Sequence, residues 1–160
     1  MKLEKTFHVQ VEPEKAMKIM RDPKFIEEDE LARKTQKVEV KDVKNTKEQH
    51  VFEVKTVTFA RGATGTDTSK TQNNVNTNTW DLKKMESAWT YQDGSDFGSK
   101  IHIKGGSKLA KKGDGSDLTM WVDINIDIPF LGGSIAKKVA AGFERGWPTY
   151  IERLGRWASK

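Results

Sequence analysis

The chain contains no cysteine, which excludes disulfide bonds, thiol catalysis, thiolate metal sites and iron–sulfur clusters. It also lacks any apolar run near the ~18 residues that a membrane-spanning helix requires. The mean hydropathy is −0.72 and 32% of the residues are charged, which together exclude a membrane-spanning protein. Residues Met1 to Lys5 contain no apolar signal region, so we expect a cytoplasmic protein.

Long runs of one charge are absent as well. The 160 residues include 28 Lys and Arg against 23 Asp and Glu, giving a net charge of +5. Basic side chains are spread along the chain among acidic ones, and the densest groups are Lys108, Lys111, Lys112 and Arg145, Arg153, Arg156. Neither group is a run of five, so the pattern favours a solvated surface and we expect no DNA partner.

The first third of the chain alternates and then becomes helical. Phe7, Val9 and Val11 recur with period two in residues 6–11, which predicts a strand with one buried face. Pro13 follows at a position typical of the first turn of a helix. Asp22-Pro23 ends that helix, and a second short helix is predicted over residues 24–33.

The middle of the chain is rich in residues that favour strands. Residues 48–60 predict a strand with two apolar faces, one formed by Phe52, Val54 and Thr56 and the other by Val51, Val57 and Phe59. Periodicity does not decide which face lies inside. Residues 62–78 are polar, and we interpret them as a long mobile loop, either a lid or a disordered insertion, that enters a strand near Asn76.

A hairpin is the best specified part of the sheet. Residues 99–108 and 117–128 both alternate, and a turn of Gly, Asp and Ser lies between them. The register centred on that turn places Lys104 opposite Asp123 and Lys100 opposite Asp127.

A long helix of about 24 residues closes the chain, with Ser134 as its predicted N-cap and Pro148 as the position of a kink. Its apolar stripe consists of Ile135, Val139, Phe143, Trp147, Tyr150, Leu154 and Trp157. Its solvent face is predicted to carry Lys137, Lys138, Glu144, Arg145, Glu152, Arg153 and Arg156. A helix of this length needs a wide apolar surface, which a curved antiparallel sheet supplies.

Three segments carry a resemblance to a known superfamily. Residues 7–16 (FHVQVEPEKA) with 22–25 (DPKF), residues 126–135 (IDIPFLGGSI) and the long helix resemble the helix-grip proteins of the START/polyketide-cyclase (SRPBCC) superfamily. The Pro-Phe-Leu-Gly-Gly segment is most similar to an uncharacterised bacterial branch. The resemblance implies a single α+β domain over residues 1–160, with six or seven antiparallel strands curved around the C-terminal helix and two short helices after the first strand. It also implies an apolar ligand between sheet and helix, although a few members are cyclases or hydrolases.

Candidate catalytic residues are few. By strand parity His8 and His102 point to solvent, whereas His50 shares a face with Phe52 and could act as an acid or base. No carboxylate or hydroxyl is spaced in the sequence to orient His50. Only Tyr91 and Thr56 are further candidates, so no catalytic residue is assigned.

Metal and cofactor motifs are also missing. Asp123, Asn125 and Asp127 have the spacing that begins a calcium loop, but the glycine and the distal glutamate are absent. We therefore interpret them as cross-strand partners of the lysines. The glycine pairs match neither the Walker nor the dinucleotide spacing, so no metal and no cofactor is predicted. Trp121, opposite Gly106, is expected to cover a bare backbone.

The sequence thus predicts a non-enzymatic protein that binds an apolar small molecule or lipid. The predicted lining is Phe52, Val54, Trp80, Trp89, Ile103, Met120, Val122, Phe143, Trp147 and Ile151. Three alternatives remain open: large side chains that fill the space completely, an enzyme of the cyclase, dehydratase or hydrolase type, and a protein- or nucleic-acid-interaction module that uses the basic outer face.

Overall fold

A computed structural model describes residues 1–62 and 65–160, apart from the side chains of residues 61 and 62. The helices are α1 (Pro13–Met20), α2 (Pro23–Ala32) and α3 (Gly132–Ala158). The strands are β1 (Lys2–Val9), β2 (Lys37–Asn45), β3 (Gln49–Gly62), β4 (Gly65–Asp81), β5 (Glu86–Gln92), β6 (Ile101–Lys112) and β7 (Gly115–Ile126). None of the helices in the described ranges is both long enough and apolar enough to cross a bilayer.

The strands form one curved antiparallel sheet in the order β1-β7-β6-β5-β4-β3-β2. The first strand of the chain therefore lies at one edge, beside the last strand, and β2 lies at the other edge. Helices α1 and α2 make the connection between these two edges. The predicted α+β helix-grip architecture is confirmed, including the two short helices after β1 and the long C-terminal helix.

The register predicted for the β6–β7 hairpin is confirmed. Lys104 pairs with Asp123, and the backbone N–H of Asp127 donates to the carbonyl oxygen of Lys100 at 2.8 Å. The aliphatic row of the hairpin is buried, with Val122 fully inaccessible to solvent. Burial of one row forces the charged row to the convex face, and the turn between the two strands fixes which residues lie opposite each other.

The prediction of a mobile loop over residues 62–78 is wrong for the residues that the structure describes. Strand β4 runs for 17 residues and pairs with β3 on both sides of an irregularity at residues 68–70. Residues 63 and 64 of the predicted loop lie outside the described residues. The polar side chains are compatible with a strand because neighbouring strands satisfy them; the Nδ2 group of Asn74, for example, donates to Thr58 Oγ1 at 2.9 Å.

Helix α3 begins at Gly132, two residues before the predicted N-cap Ser134, so that prediction is wrong. The helix continues through Pro148, and its stripe faces the concave side of the sheet, where Trp147 and Leu154 are buried. Its main contacts are with β7, β1, α1 and α2. The Phe25 ring of α2 meets Tyr150 and Trp157 edge to face, with ring centroids 5.4 and 5.5 Å apart. These contacts attach α3 to the α2 side of the molecule.

Arg153 is buried, so its predicted place on the solvent face of α3 is wrong. Its guanidinium donates to Asp29 of α2, which is also buried, and Arg33 donates to the other oxygen of the same carboxylate at 2.6 Å. The helical pattern could not reveal this arrangement because the partner lies on another helix, 124 residues away in the chain. A buried charge of this kind is tolerated because it is paired.

Gly105 positions an aromatic side chain on the concave face. It lies directly opposite Trp89 of β5, and a Cβ at residue 105 would overlap the Trp89 ring and come within 2.5 Å of the Trp121 carbonyl oxygen. Only glycine therefore lets the indole of Trp89 lie across β6. On the other face, Trp121 covers Gly106 in the predicted pairing.

We predict that Asp29→Ala lowers the free energy of unfolding by about 3–5 kcal/mol, because Arg153 would lose the buried carboxylate to which it donates and keep only Glu28, whose Oε2 lies 3.5 Å from its Nε. Urea denaturation measures this effect. Glu27→Ala, on the exposed side of the same helix, is the control and should change the value by less than about 0.5 kcal/mol. Equal effects of the two variants would contradict the assignment of Asp29 as a buried partner.

Two Gly→Ala changes should have opposite signs. Gly105→Ala is expected to destabilise the protein by about 1–3 kcal/mol through overpacking against Trp89. Gly142→Ala is expected to stabilise it by about 0.5–1 kcal/mol, since a Cβ there meets no atom within 4 Å and alanine favours a helix. Thermal unfolding of the two variants checks the signs, and a neutral Gly105→Ala would contradict the close approach of Trp89.

Candidate functional site

The register shows which side chains share the concave face on β3 and β4. Residues directly opposite each other in an antiparallel pair point to the same side. The opposed pairs are His50–Trp80, Phe52–Asn78, Val54–Asn76, Thr56–Asn74 and Thr58–Gln72. Phe52 and Trp80 are each only 2% exposed, so this is the inner face. The concave face of β4 therefore carries four amides and, after them in the chain, one tryptophan.

Helix α3 approaches this part of the sheet through aromatic side chains. The Phe143 ring of α3 lies nearly parallel to the Trp89 ring of β5, with an interplanar angle of 21° and 6.0 Å between centroids. Both rings are partly exposed, as is Tyr91. We call the inner-face region that contains Asn76, Asn78, Trp89, Tyr91 and Phe143 the helix–sheet gap. Solvent reaches each of these five side chains although they lie on the inner side of the fold.

Two of the four amides have structural partners. Gln72 and Asn74 are buried, and the Nε2 group of Gln72 donates to Asn74 Oδ1 at 2.7 Å. The same Asn74 oxygen accepts the backbone N–H of Gly94 at 3.0 Å. A Cβ at residue 94 would overlap the Asn73 backbone, so this loop lies directly on β4. Gln72 and Asn74 thus connect the β5–β6 loop to the sheet.

The other two amides, Asn76 and Asn78, are partly exposed and face the helix–sheet gap. Within the described residues, their side-chain hydrogen bond is to each other, with Asn78 Nδ2 donating to Asn76 Oδ1. Across the β4–β5 ladder, Asn78 lies opposite Trp89, and Asn76 lies opposite Tyr91. The Tyr91 hydroxyl donates to the buried carboxylate of Asp93 at 3.0 Å. Each amide therefore lies beside an aromatic ring.

The structure places the ten predicted lining residues on the inner side, in two apolar clusters that share Met120. The first cluster contains Phe52, Val54, Trp80 and Ile151, and the second contains Ile103, Val122, Trp89, Phe143 and Trp147. Six of the ten are buried, whereas Trp89, Met120, Phe143 and Ile151 are partly exposed. The fold thus brings Trp89 and Phe143 together at the gap and uses the buried members as packed walls behind it.

His50 has partners that the sequence did not reveal, so the interpretation that nothing orients it is wrong. Its Nε2 lies 2.7 Å from Asp42 Oδ1, and Arg21 Nε donates to its Nδ1 at 2.9 Å. Since arginine can only donate, Nδ1 is the acceptor and Nε2 carries the proton that Asp42 accepts. Partial burial lowers the pKa of Arg21, while the Asp42 carboxylate acts in the opposite direction. The lone pair that a general base would use is therefore already engaged.

His50 lies at an open cleft of about 530 Å³ rather than at the helix–sheet gap. The lining of this cleft includes Arg21, Asp42 and Leu82. A second open cleft, of about 470 Å³, follows β2, β3 and β4, and by strand parity most of its lining side chains lie on the convex face. None of the ten predicted lining residues borders either cleft.

The remaining candidates lie on the convex face or at the surface. His8 is exposed, and its Nδ1 is 3.2 Å from Asp117 Oδ1; His102 is exposed as well. Asp123 lies 3.9 Å from the N-terminal ammonium group, which donates to the Ile124 carbonyl oxygen at 2.7 Å. Across the described ranges, no group of three or more histidines and carboxylates is arranged to hold a metal ion.

Sequence reasoning missed Asn76 and Asn78 because residues 62–78 were interpreted as a loop. The signal was present: amides occupy positions 72, 74, 76 and 78, two residues apart, as one face of a strand requires. Trp80 continues the same spacing and connects this row to the core.

The family model described as "Protein of unknown function (DUF2505)" matches residues 4–157. No curated protein matches the chain. Many solved structures have similar folds, including the following three. The Zhui aromatase/cyclase from Streptomyces sp. R1128 has a TM-score of 0.67 at 13% identity, over 99% of this chain and 93% of that one.

Two further similar structures are of proteins whose names state no enzymatic activity. TTHA0849 from Thermus thermophilus has a TM-score of 0.62 at 14% identity, with 98% and 95% of the two chains covered. Ara h 8.0201 has a TM-score of 0.61 at 16% identity, with 99% and 97% covered. The chain therefore has the predicted helix-grip fold of the START/polyketide-cyclase superfamily, and it belongs to the DUF2505 family.

Proposed function

We propose that this protein binds an apolar or aromatic small molecule in the helix–sheet gap, without catalysing its conversion. One observation carries the proposal: the Trp89 and Phe143 rings lie nearly parallel on the sheet and the helix, 6.0 Å apart between centroids, yet both remain partly exposed. Aromatic side chains at the inner side of a fold are ordinarily buried. A ligand that covers them would remove apolar surface from water, which stabilises the complex by about 25 cal/mol per Å².

The surroundings of the gap suit a binding site. Behind Trp89 and Phe143, the walls are formed by buried side chains such as Ile103, Val122 and Trp147. Because these walls are packed, the two rings are held in place before any ligand arrives, and less conformational entropy is lost on binding. The aromatase/cyclase activity in the name of the Streptomyces protein supports a small-molecule role for this architecture.

The geometry gives less support to an enzyme. His50 is outside the gap, and its Nδ1 accepts a hydrogen bond from Arg21. Tyr91 is at the gap, but its hydroxyl donates to Asp93. The His50 nitrogen that would accept a proton in acid–base catalysis is thus already engaged, and the Tyr91 proton is directed to Asp93. The experiment below therefore measures ligand binding rather than the rate of a reaction.

We predict that the protein binds the uncharged dye N-phenyl-1-naphthylamine and that Phe143→Ala weakens this binding at least tenfold. The removed ring supplies one side of the gap. Phe130→Ala is the matched control, since Phe130 is fully exposed in the β7–α3 connection. Fluorescence titration at 50 mM and 500 mM salt gives the dissociation constants, and circular dichroism confirms that both variants are folded.

Native mass spectrometry of the purified protein, before and after incubation with a fatty-acid and lipid panel, identifies any bound mass. Failure of the dye and of the whole panel to bind would contradict the proposal and favour a filled core. Equal affinity in the two phenylalanine variants would place the dye elsewhere. Binding that weakens steeply with salt would indicate the basic outer face instead.

A further inference from the structure

We infer that the ligand of the helix–sheet gap is a ring compound carrying hydroxyl or carbonyl groups on one edge, which Asn76 and Asn78 hydrogen-bond. This inference rests on the proposed function and specifies the chemical class of its ligand. A plain acyl chain or an unsubstituted hydrocarbon is the class that the site disfavours. The position, the hydrogen bonding and the aromatic neighbours of the two asparagines support this inference.

The position of the pair is unusual for polar side chains. Asn76 and Asn78 lie on the concave face, directly opposite the buried side chains of Val54 and Phe52 on β3. The next residue of the same row, Trp80, is buried in the apolar core. The two amides thus lie between the apolar core around Trp80 and the buried pair Gln72 and Asn74, at partly exposed positions of the inner face.

The hydrogen bonds separate this pair from the other two amides of β4. Gln72 and Asn74 are buried and bonded to each other, to Thr58 and to the Gly94 backbone, so their role is structural. A primary amide can donate two hydrogen bonds and accept two. Asn76 and Asn78 use one donor and one acceptor between them in the described part of the chain. Their remaining hydrogen-bonding capacity faces the gap.

This remaining capacity discriminates between ligands. An acyl chain over Asn76 and Asn78 would remove water from the amides without replacing its hydrogen bonds, which is unfavourable. A ligand with hydroxyl or carbonyl oxygens at the same place would restore those bonds. A site built to hydrogen-bond such groups rejects an analogue that lacks them more strongly than an apolar pocket distinguishes two hydrocarbons.

The aromatic neighbours indicate a flat ring. Asn78 lies opposite Trp89 and Asn76 opposite Tyr91 on adjacent strands. Side chains directly opposite each other are separated by about 5 Å at Cβ. Trp89 and Phe143 already lie against each other, so a flat ring would lie across the exposed part of this pair and present its edge to the amides. The gap combines a stacking surface with hydrogen-bonding groups at its border.

The test compares naphthalene, 2,7-dihydroxynaphthalene and dodecanoate as competitors of N-phenyl-1-naphthylamine. The measured quantity is the ratio of the dissociation constant of naphthalene to that of the diol, since a ratio within one protein cancels effects on the gap as a whole. We expect this ratio to fall at least tenfold in the Asn76→Leu/Asn78→Leu double variant. Asn73→Leu is the matched control, because Asn73 is exposed on the opposite face of β4, and it should keep the wild-type ratio.

A second measurement uses only the wild-type protein, so it does not depend on whether a variant folds. The side-chain amide resonances of uniformly ¹⁵N-labelled wild-type protein should include two pairs that shift with the diol and not with naphthalene. A ratio within twofold of wild type in the double variant, or amide resonances that move equally with both competitors, would overturn the inference and leave the proposed function intact. If none of the probes binds the wild-type protein, the proposed function fails and this inference fails with it.

Discussion

Burial of the apolar stripe of α3 against the β1–β7 side of the concave face is the constraint on which the rest of the structure depends. Leu118, Val122 and Leu154 are fully inaccessible to solvent, so this contact excludes water completely. The helix also packs against α1 and against α2, which lies beside β2, and it reaches β5 through Phe143. Because the helix covers the β1–β7 half of the curved sheet closely, it covers the other half less closely. The helix–sheet gap is the consequence of that unequal coverage.

The polar side chains of the interior fall into groups with different physical roles. Arg153 and Asp29 form a paired charge between α3 and α2, where either partner alone would be costly. Gln72 and Asn74 attach the β5–β6 loop to β4 with their hydrogen bonds satisfied by protein. Asn76 and Asn78 share the strand and the face of that second pair but remain accessible to solvent. Accessibility, rather than polarity, is what distinguishes a candidate binding pair from a structural one.

His50 is a further polar side chain whose hydrogen bonds within the protein give it a structural role. A histidine in a cleft of about 530 Å³ invites a catalytic interpretation, but both of its ring nitrogens are engaged, by Arg21 and by Asp42. It connects α1 to β2 and β3 by hydrogen bonds that use one defined tautomer. The fold is shared with proteins as different in name as an aromatase/cyclase and Ara h 8.0201, so function has to be argued from the gap and its side chains.

The sequence by itself determined the elements whose pattern is local and strong. Alternation and the turn between the strands placed the β6–β7 hairpin in register, and the stripe from Ile135 to Trp157 defined α3 except for its first residues. The sequence pattern did not show which face of β3 lies inside, because Val51 and Phe52 belong to two rows that are both apolar. The tertiary structure decides it, since Leu154 and Trp80 pack on the Phe52 side. Residues 65–78 and Arg153 were misassigned for a common physical reason. Their polar groups are stabilised by partners distant in the chain, such as Thr58 and Asp29, and a local pattern contains no information about such partners.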